Sequence, residues 1–115
     1  MTILERPIGD VTILDINGRI TVQEGADTFH DAVQRLVSQD RVKLVLNLPS
    51  VPYIDSTALG DIVWAFTTLV RRGGLLKLVR PTRRVHDLLV ITKLASIFET
   101  FETEEDAISS FGGPA

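Results

Sequence analysis

Lys43 to Asp61 reads KLVLNLPSVPYIDSTALGD, and the division of this stretch decides the fold. Leu44, Val45, Leu46 and Leu48 form a near-continuous apolar run, the pattern of a central strand covered on both faces. Pro49 and Pro52 bound it, since proline cannot continue a central ladder. Beyond them, Asp55-Ser56-Thr57 stands directly before Leu59, Ile62, Val63, Phe66, Leu69 and Val70, which fall on one stripe of a helix. Arg71-Arg72 suit the negative end of that helix, and Gly73-Gly74 supply the left-handed residue that stops it. Leu75 to Val79 then reads as a second buried strand, so the stretch opens a strand–helix–strand unit.

Toward the N-terminus, Thr12, Leu14, Ile16, Gly18 and Ile20 alternate with Asp15, Asn17 and Arg19, which predicts a strand with one buried face. Pro7-Ile8-Gly9-Asp10 reads as a turn and makes Thr2 to Arg6 its antiparallel neighbour. Phe29, Ala32, Val33, Leu36 and Val37 mark one face of a first helix. Toward the C-terminus, Pro81-Thr82 opens a third helix, with Thr82 as cap and Val85, Leu88, Leu89 and Thr92 turned inward. A short strand follows at Phe98 to Phe101. Thr103-Glu104-Glu105-Asp106 resembles a capping box, leading a last helix through Ala107, Ile108 and Phe111, after which the GGPA tail frays. Alternating strands and helices imply an α/β layer with right-handed crossovers.

The bulk numbers narrow the class of function. A chain of 115 residues has room for one core, and 44% hydrophobic with 23% charged residues is globular composition. A net charge of −3 offers no basic field for nucleic acid. The absence of cysteine excludes disulfides and thiolate chemistry. MTILERPIGD is no signal peptide, and no apolar run approaches the roughly 20 residues that span a bilayer. A cytoplasmic protein without membrane contact is the expectation.

In α/β sheets, sites lie beyond the carboxyl ends of the strands, which is where Asp55-Ser56-Thr57 is delivered. Two readings fit. Serine and threonine are favoured helix caps, worth about 1 kcal/mol. The same helix pole also tolerates an anion, so a phosphate on Ser56 could be housed there, where it would add about −1.5 to −2 charges. Asp55 and Asp61 would repel that phosphate, as would an acidic partner. Hydrolase chemistry would need a base, and only His30 and His86 are present, in no triad-like pattern. The same two histidines make a poor metal site, and Gly73-Gly74 lacks the pattern of a phosphate loop. Trp64 interrupts a polar row, Thr57, Asp61, Thr68 and Arg71; it reads either as an interface anchor or as a ring folded over a neighbouring helix. Arg80, Arg83 and Arg84 read as a solvated start to the third helix, ill-placed for its dipole.

Taken together, LVLNLPSVPYIDSTALGDIVWAF, RRGGLLKLV and VHDLLVITKL resemble the STAS domain of bacterial anti-sigma factor antagonists, and GRI at Gly18 to Ile20 resembles the end of that family's early strand. The resemblance implies a single STAS domain over 1–115, with a four-to-five-stranded mixed sheet, about four helices, and the helices on one side. It also implies partner switching. The unphosphorylated protein would bind an anti-sigma factor that is an ATP-dependent serine kinase, phosphorylation of Ser56 would release it, and a serine phosphatase would reset it. The protein would then be a substrate and ligand, with no cofactor of its own and no enzymatic activity. Asp55, Thr57, Asp61 and Trp64 would form the partner-binding surface, with Thr57 a helix cap or secondary hydroxyl. The chain departs from the family at Arg19 and Thr21, where acidic residues are frequent. Ala58 replaces a frequent glycine and is expected to tighten the loop before the helix, and Lys93 stands where glycine is common. The alternative is a ligand-sensing or scaffold STAS module without phosphorylation; an esterase using Ser56 is the remaining class.

Overall fold

The computed structural model describes residues 1–112, so the expected fraying of the tail concerns residues 113–115 outside the described part. Five strands form one sheet in sequence order: β1 (Thr2–Ile8), β2 (Val11–Asn17), β3 (Lys43–Asn47), β4 (Leu75–Val79) and β5 (Thr100–Phe101). β1 runs antiparallel to β2, and the other neighbours are parallel. The helices are α1 (Ala26–Ser38), α2 (Ser56–Arg71), α3 (Arg83–Ile91) and α4 (Glu104–Ser109). This is the expected mixed α/β sheet with four helices.

The pleat divides the core in two. Leu14, Ile16, Leu44, Leu46, Leu76 and Leu78 face α1, α2 and α3, meeting residues such as Phe29, Val33, Ile62, Leu69 and Leu89. Val11, Ile13, Val45 and Val79 face the other way and are covered by Ala107 of α4, with Ile108 and Phe111 at the margin. Two expectations change here. β2 is buried on both faces along Val11–Leu14, and the helices do not all lie on one side. The cause is α4, a six-residue helix whose Ala107 lets it sit close to the strands.

The first hairpin is tighter than its proline suggested. β1 continues through Pro7 and Ile8, and the turn is Gly9-Asp10 alone, with Gly9 at φ 61°. An edge strand accommodates a residue without an N–H, so Pro7 stays in the ladder. β2 stops at Asn17, where Gly18 turns the chain at φ 105°, and Ile20 rejoins as a single parallel bridge to Ile54.

Helices α1, α2 and α3 end alike. In each, the first residue past the cap takes a left-handed conformation, and its amide and the one after it bond back to the last turn. Gly73 fills that position after α2, at φ 80°, whereas Asp40 and Lys93 fill it after α1 and α3, at φ 60° and 62°. Gly74 has a different reason: a Cβ there would lie 1.9 Å from the carbonyl oxygen of Val42. Other inward assignments shift at the margins. Val70 is exposed, Thr92 is exposed and donates to the Leu88 carbonyl at 2.7 Å, and Phe98 leaves the sheet to enter the larger core edge-on to Phe66. Lys77 of β4 is buried, its ammonium 2.7 Å from Glu99 and above the rings of Phe101 and Phe111.

Candidate functional site

The carboxyl end of β3 leads through Leu48–Tyr53 to the head of α2, and backbone bonds fasten this loop to the segment after β2. The Gly18 N–H donates to the Ser50 carbonyl at 2.9 Å, Ile20 to Tyr53 at 3.1 Å, and Asp55 back to Ile20 at 3.2 Å. From the other side, the Thr82 hydroxyl donates to the Val51 carbonyl at 3.2 Å while capping α3 through the Val85 N–H at 3.3 Å. The site is therefore held by both flanking crossovers.

The cap of α2 is Asp55, in extended conformation, and neither Ser56 nor Thr57 serves. Asp55 Oδ1 accepts from the Ala58 N–H at 2.8 Å, and its Oδ2 accepts from the Val22 N–H at 2.8 Å. The Ala58 and Val22 amides stabilise the charged form and hold this carboxyl below the usual carboxylate range. A carboxylate outcompetes a hydroxyl for the helix pole, which is why the sequence-based cap at Ser56 or Thr57 is displaced by one or two residues. Ser56 and Thr57 become the first two helical residues. Both are exposed, and neither hydroxyl bonds to another described residue. Ala58 lies buried inside the first turn of α2 rather than in the loop before it.

Asp61 and Trp64 face α1 rather than the helix pole. The Asp61 carboxylate lies 3.7 Å from His30 Nδ1, and His30 stacks on Trp64 with ring centroids 3.9 Å apart. Trp64 is half-buried, its ring lying against His30 of α1. Neither histidine hydrogen-bonds Ser56; His86 lies exposed on α3 beside Arg80 and Arg83. Arg84 is not simply solvated, for its guanidinium covers the Tyr53 ring at 4.5 Å.

Two depressions share Tyr53 as a wall. One, of about 410 Å³, is polar and lined by Arg19, Thr21, Val22, Gln23, Glu24 and Asp55. The other, of about 240 Å³, is bounded by Ile54, Arg84, Asp87, Leu88 and Ile91. Sequence reasoning missed Val22 and Arg84. The alternation running past Gly18 to Ile20 could have flagged the first segment; nothing in the sequence pairs Arg84 with Tyr53.

An α/β domain with a mixed sheet presents, at one strand end, an exposed serine beside a capping aspartate. The STAS domain family model matches residues 4–107, and the chain belongs to that family. It is 33% identical to a Thermotoga neapolitana protein provisionally named an anti-sigma factor antagonist, over 92% of this chain and 94% of that one. The crystal structure of a Thermotoga maritima protein of the same provisional name is similar, with a TM-score of 0.88, 28% identity, and coverage of 94% of this chain and 92% of that one. The anti-sigma factor antagonist SpoIIAA in its unphosphorylated form shares the fold, with a TM-score of 0.76 at 14% identity over 98% of this chain and 100% of that one. Among the described residues, no helix is long and apolar enough to cross a membrane.

Proposed function

We propose that this chain acts as one STAS domain over residues 1–115 and is a cytoplasmic anti-sigma factor antagonist switched by phosphorylation of Ser56. Unphosphorylated, it binds an anti-sigma factor that is also a serine kinase, which frees the sigma factor for transcription. Phosphorylation ends the complex and a phosphatase restores it. The kinase supplies the ATP and the catalytic groups, so this protein is substrate and ligand, not enzyme. The family relationship and the names of the similar proteins support the partner class.

The observation that carries the reading is the exposed Ser56 hydroxyl, left free of capping because Asp55 caps α2. A phosphate there would put about −1.5 to −2 charges beside Asp55 and across any docked surface, and desolvating such a group at an interface is costly. Thr57, Asp61 and Trp64 extend the surface along α2; Trp64 contributes through whatever part of its ring His30 leaves uncovered.

The test is a pull-down from host lysate with ATP or ADP, wild type beside Ser56→Asp, with Ser56 phosphorylation read by peptide mass spectrometry. Capture of a small kinase-like ATPase by wild type alone, with phosphate on Ser56, is the expected result. Equal capture by both proteins, or by neither, would sink the proposal and turn attention to ligand sensing.

A further inference from the structure

The segment Ile20–Gly25 is a compact turn carried at the edge of the site. The Thr21 N–H donates to the Glu24 carbonyl at 2.7 Å and the Glu24 N–H returns to the Thr21 carbonyl at 3.1 Å, while Gly25 begins α1 at φ 96°. At its tip Val22 is 62% exposed, an apolar side chain held into solvent next to Asp55. The side-chain bond that ties the tip to α2 runs from the Val22 N–H to Asp55 Oδ2, across 33 residues of sequence. Asp55 is therefore shared: one oxygen caps the helix that bears Ser56, and the other fixes the turn that bears Val22.

We propose that Asp55 is a latch that couples the charge on Ser56 to the position of the Val22 turn, so that the surface offered to the anti-sigma partner is composite: Ser56 with the head of α2, and Val22 with its turn. This rests on the reading of Ser56 as the phosphorylated residue. A phosphate on Ser56 has three acceptor oxygens at the pole where the Asp55 carboxylate sits, and the two anions compete for the same first-turn amides. Like-charge repulsion pushes the carboxylate outward. Once Oδ2 leaves Val22, that exposed amide has only water as acceptor, and the tip of the turn loses its side-chain tie to α2 while its base stays bonded through Ile20 to Tyr53 and Asp55. Phosphorylation then acts twice, by adding charge at the contact and by unfastening the apolar tip beside it. Asp55 is in this sense a positioning residue, acting on the partner through Val22.

The test uses the full chain with phosphoserine installed at position 56 during translation, so that no kinase is needed. Amide hydrogen exchange at Val22 and Ala58 is followed by two-dimensional NMR in this protein, in wild type and in Asp55→Ala. Loss of a hydrogen bond to a charged acceptor makes Val22 exchange about tenfold faster or more in both altered proteins. Core amides such as Leu46 and Leu78 should keep their wild-type rates, which separates unlatching from unfolding. Unchanged Val22 exchange in the phosphoserine protein, with faster exchange in Asp55→Ala, would overturn the coupling. Unchanged exchange in both would overturn the latch itself. Either failure leaves the pull-down on Ser56 standing, and a failed pull-down leaves the exchange result standing, so the two readings fail separately.

Discussion

The Asp55 carboxylate accepts the Ala58 N–H at 2.8 Å, and this contact removes capping from Ser56, its neighbour. The roles are therefore separable by mutation. Ser56→Ala should leave unfolding stability within about 0.5 kcal/mol of wild type, as for other exposed sites away from special features. Asp55→Ala should lower the thermal midpoint clearly, because both the cap and the tie to Val22 go with it. Thermal unfolding by circular dichroism compares them; a larger loss for Ser56→Ala would show that the hydroxyl caps the helix after all.

Lys93 carries a strain that glycine would relieve. It occupies the left-handed position after α3 at φ 62°, with its N–H on the Val90 carbonyl at 3.0 Å and the next amide, Leu94, on Leu89 at 2.8 Å. A side chain in that conformation costs roughly 1–2 kcal/mol, partly offset by the extra chain entropy that glycine loses on folding. Lys93→Gly should stabilise by about 0.5–1 kcal/mol, seen as a higher urea midpoint at unchanged slope. The same arithmetic makes Gly73→Ala destabilising.

Gly74 is constrained by space. Its absent side chain leaves room for the Val42 carbonyl, which accepts the Leu75 N–H at 3.0 Å and ties the start of β4 to the chain before β3. Gly74→Ala requires the backbone at Val42 to move and should cost at least about 2 kcal/mol in denaturant unfolding. A loss below half of that would mean the two segments can separate cheaply.

The order of elements was legible because the apolar runs at Leu44–Leu48 and Leu75–Val79 and the stripe from Leu59 to Leu69 are long and differ in period. What was not legible depended on remote partners. Val11 and Ile13 gain a second buried face only because α4, about 90 residues on, reaches the back of the sheet. The serine in the opening stretch was visible as either cap or acceptor, since both require the same place on a helix. The cap is Asp55, whose backbone is extended and whose carboxylate reaches two amides, one of them on a segment 33 residues away. Trp64 was ambiguous for a similar reason, because the helical period of α2 does not reveal that His30 lies against it.

Lys77 tests whether a buried charge contributes stability. Its ammonium is nearly inaccessible while its partner Glu99 is 62% exposed, so the pair is held from one side only. Replacing such a charge by an apolar side chain of similar length is often neutral or stabilising, whereas removing the partner strands the ion. Lys77→Met should keep or raise the thermal midpoint, and Glu99→Ala should lower it. The opposite order would mean that the contacts with Phe101 and Phe111 are the larger part of the energy.

On the face covered by α4, Arg6 joins Asp15 and Glu104, and the Asn47 amide donates to Asp15 at 2.7 Å. The Arg6 guanidinium, and then Asn47, hold the Asp15 carboxyl below its ordinary value. Because the folded-state value is the lower one, this contribution is complete above the unfolded carboxylate pKa of about 3.9 and disappears as pH falls through the folded value. Arg6 is shifted upward by Asp15 and Glu104, so at the alkaline end its own deprotonation breaks the pair only at strongly alkaline pH. Asp15→Asn should therefore be less stable than wild type at pH 7, with the gap narrowing below about pH 4. Urea unfolding at pH 7, 5, 4 and 3 measures it. Parallel curves for the two proteins across that range would show that the ion pair at Arg6 adds nothing to the fold, and that packing under α4 holds the first hairpin in place.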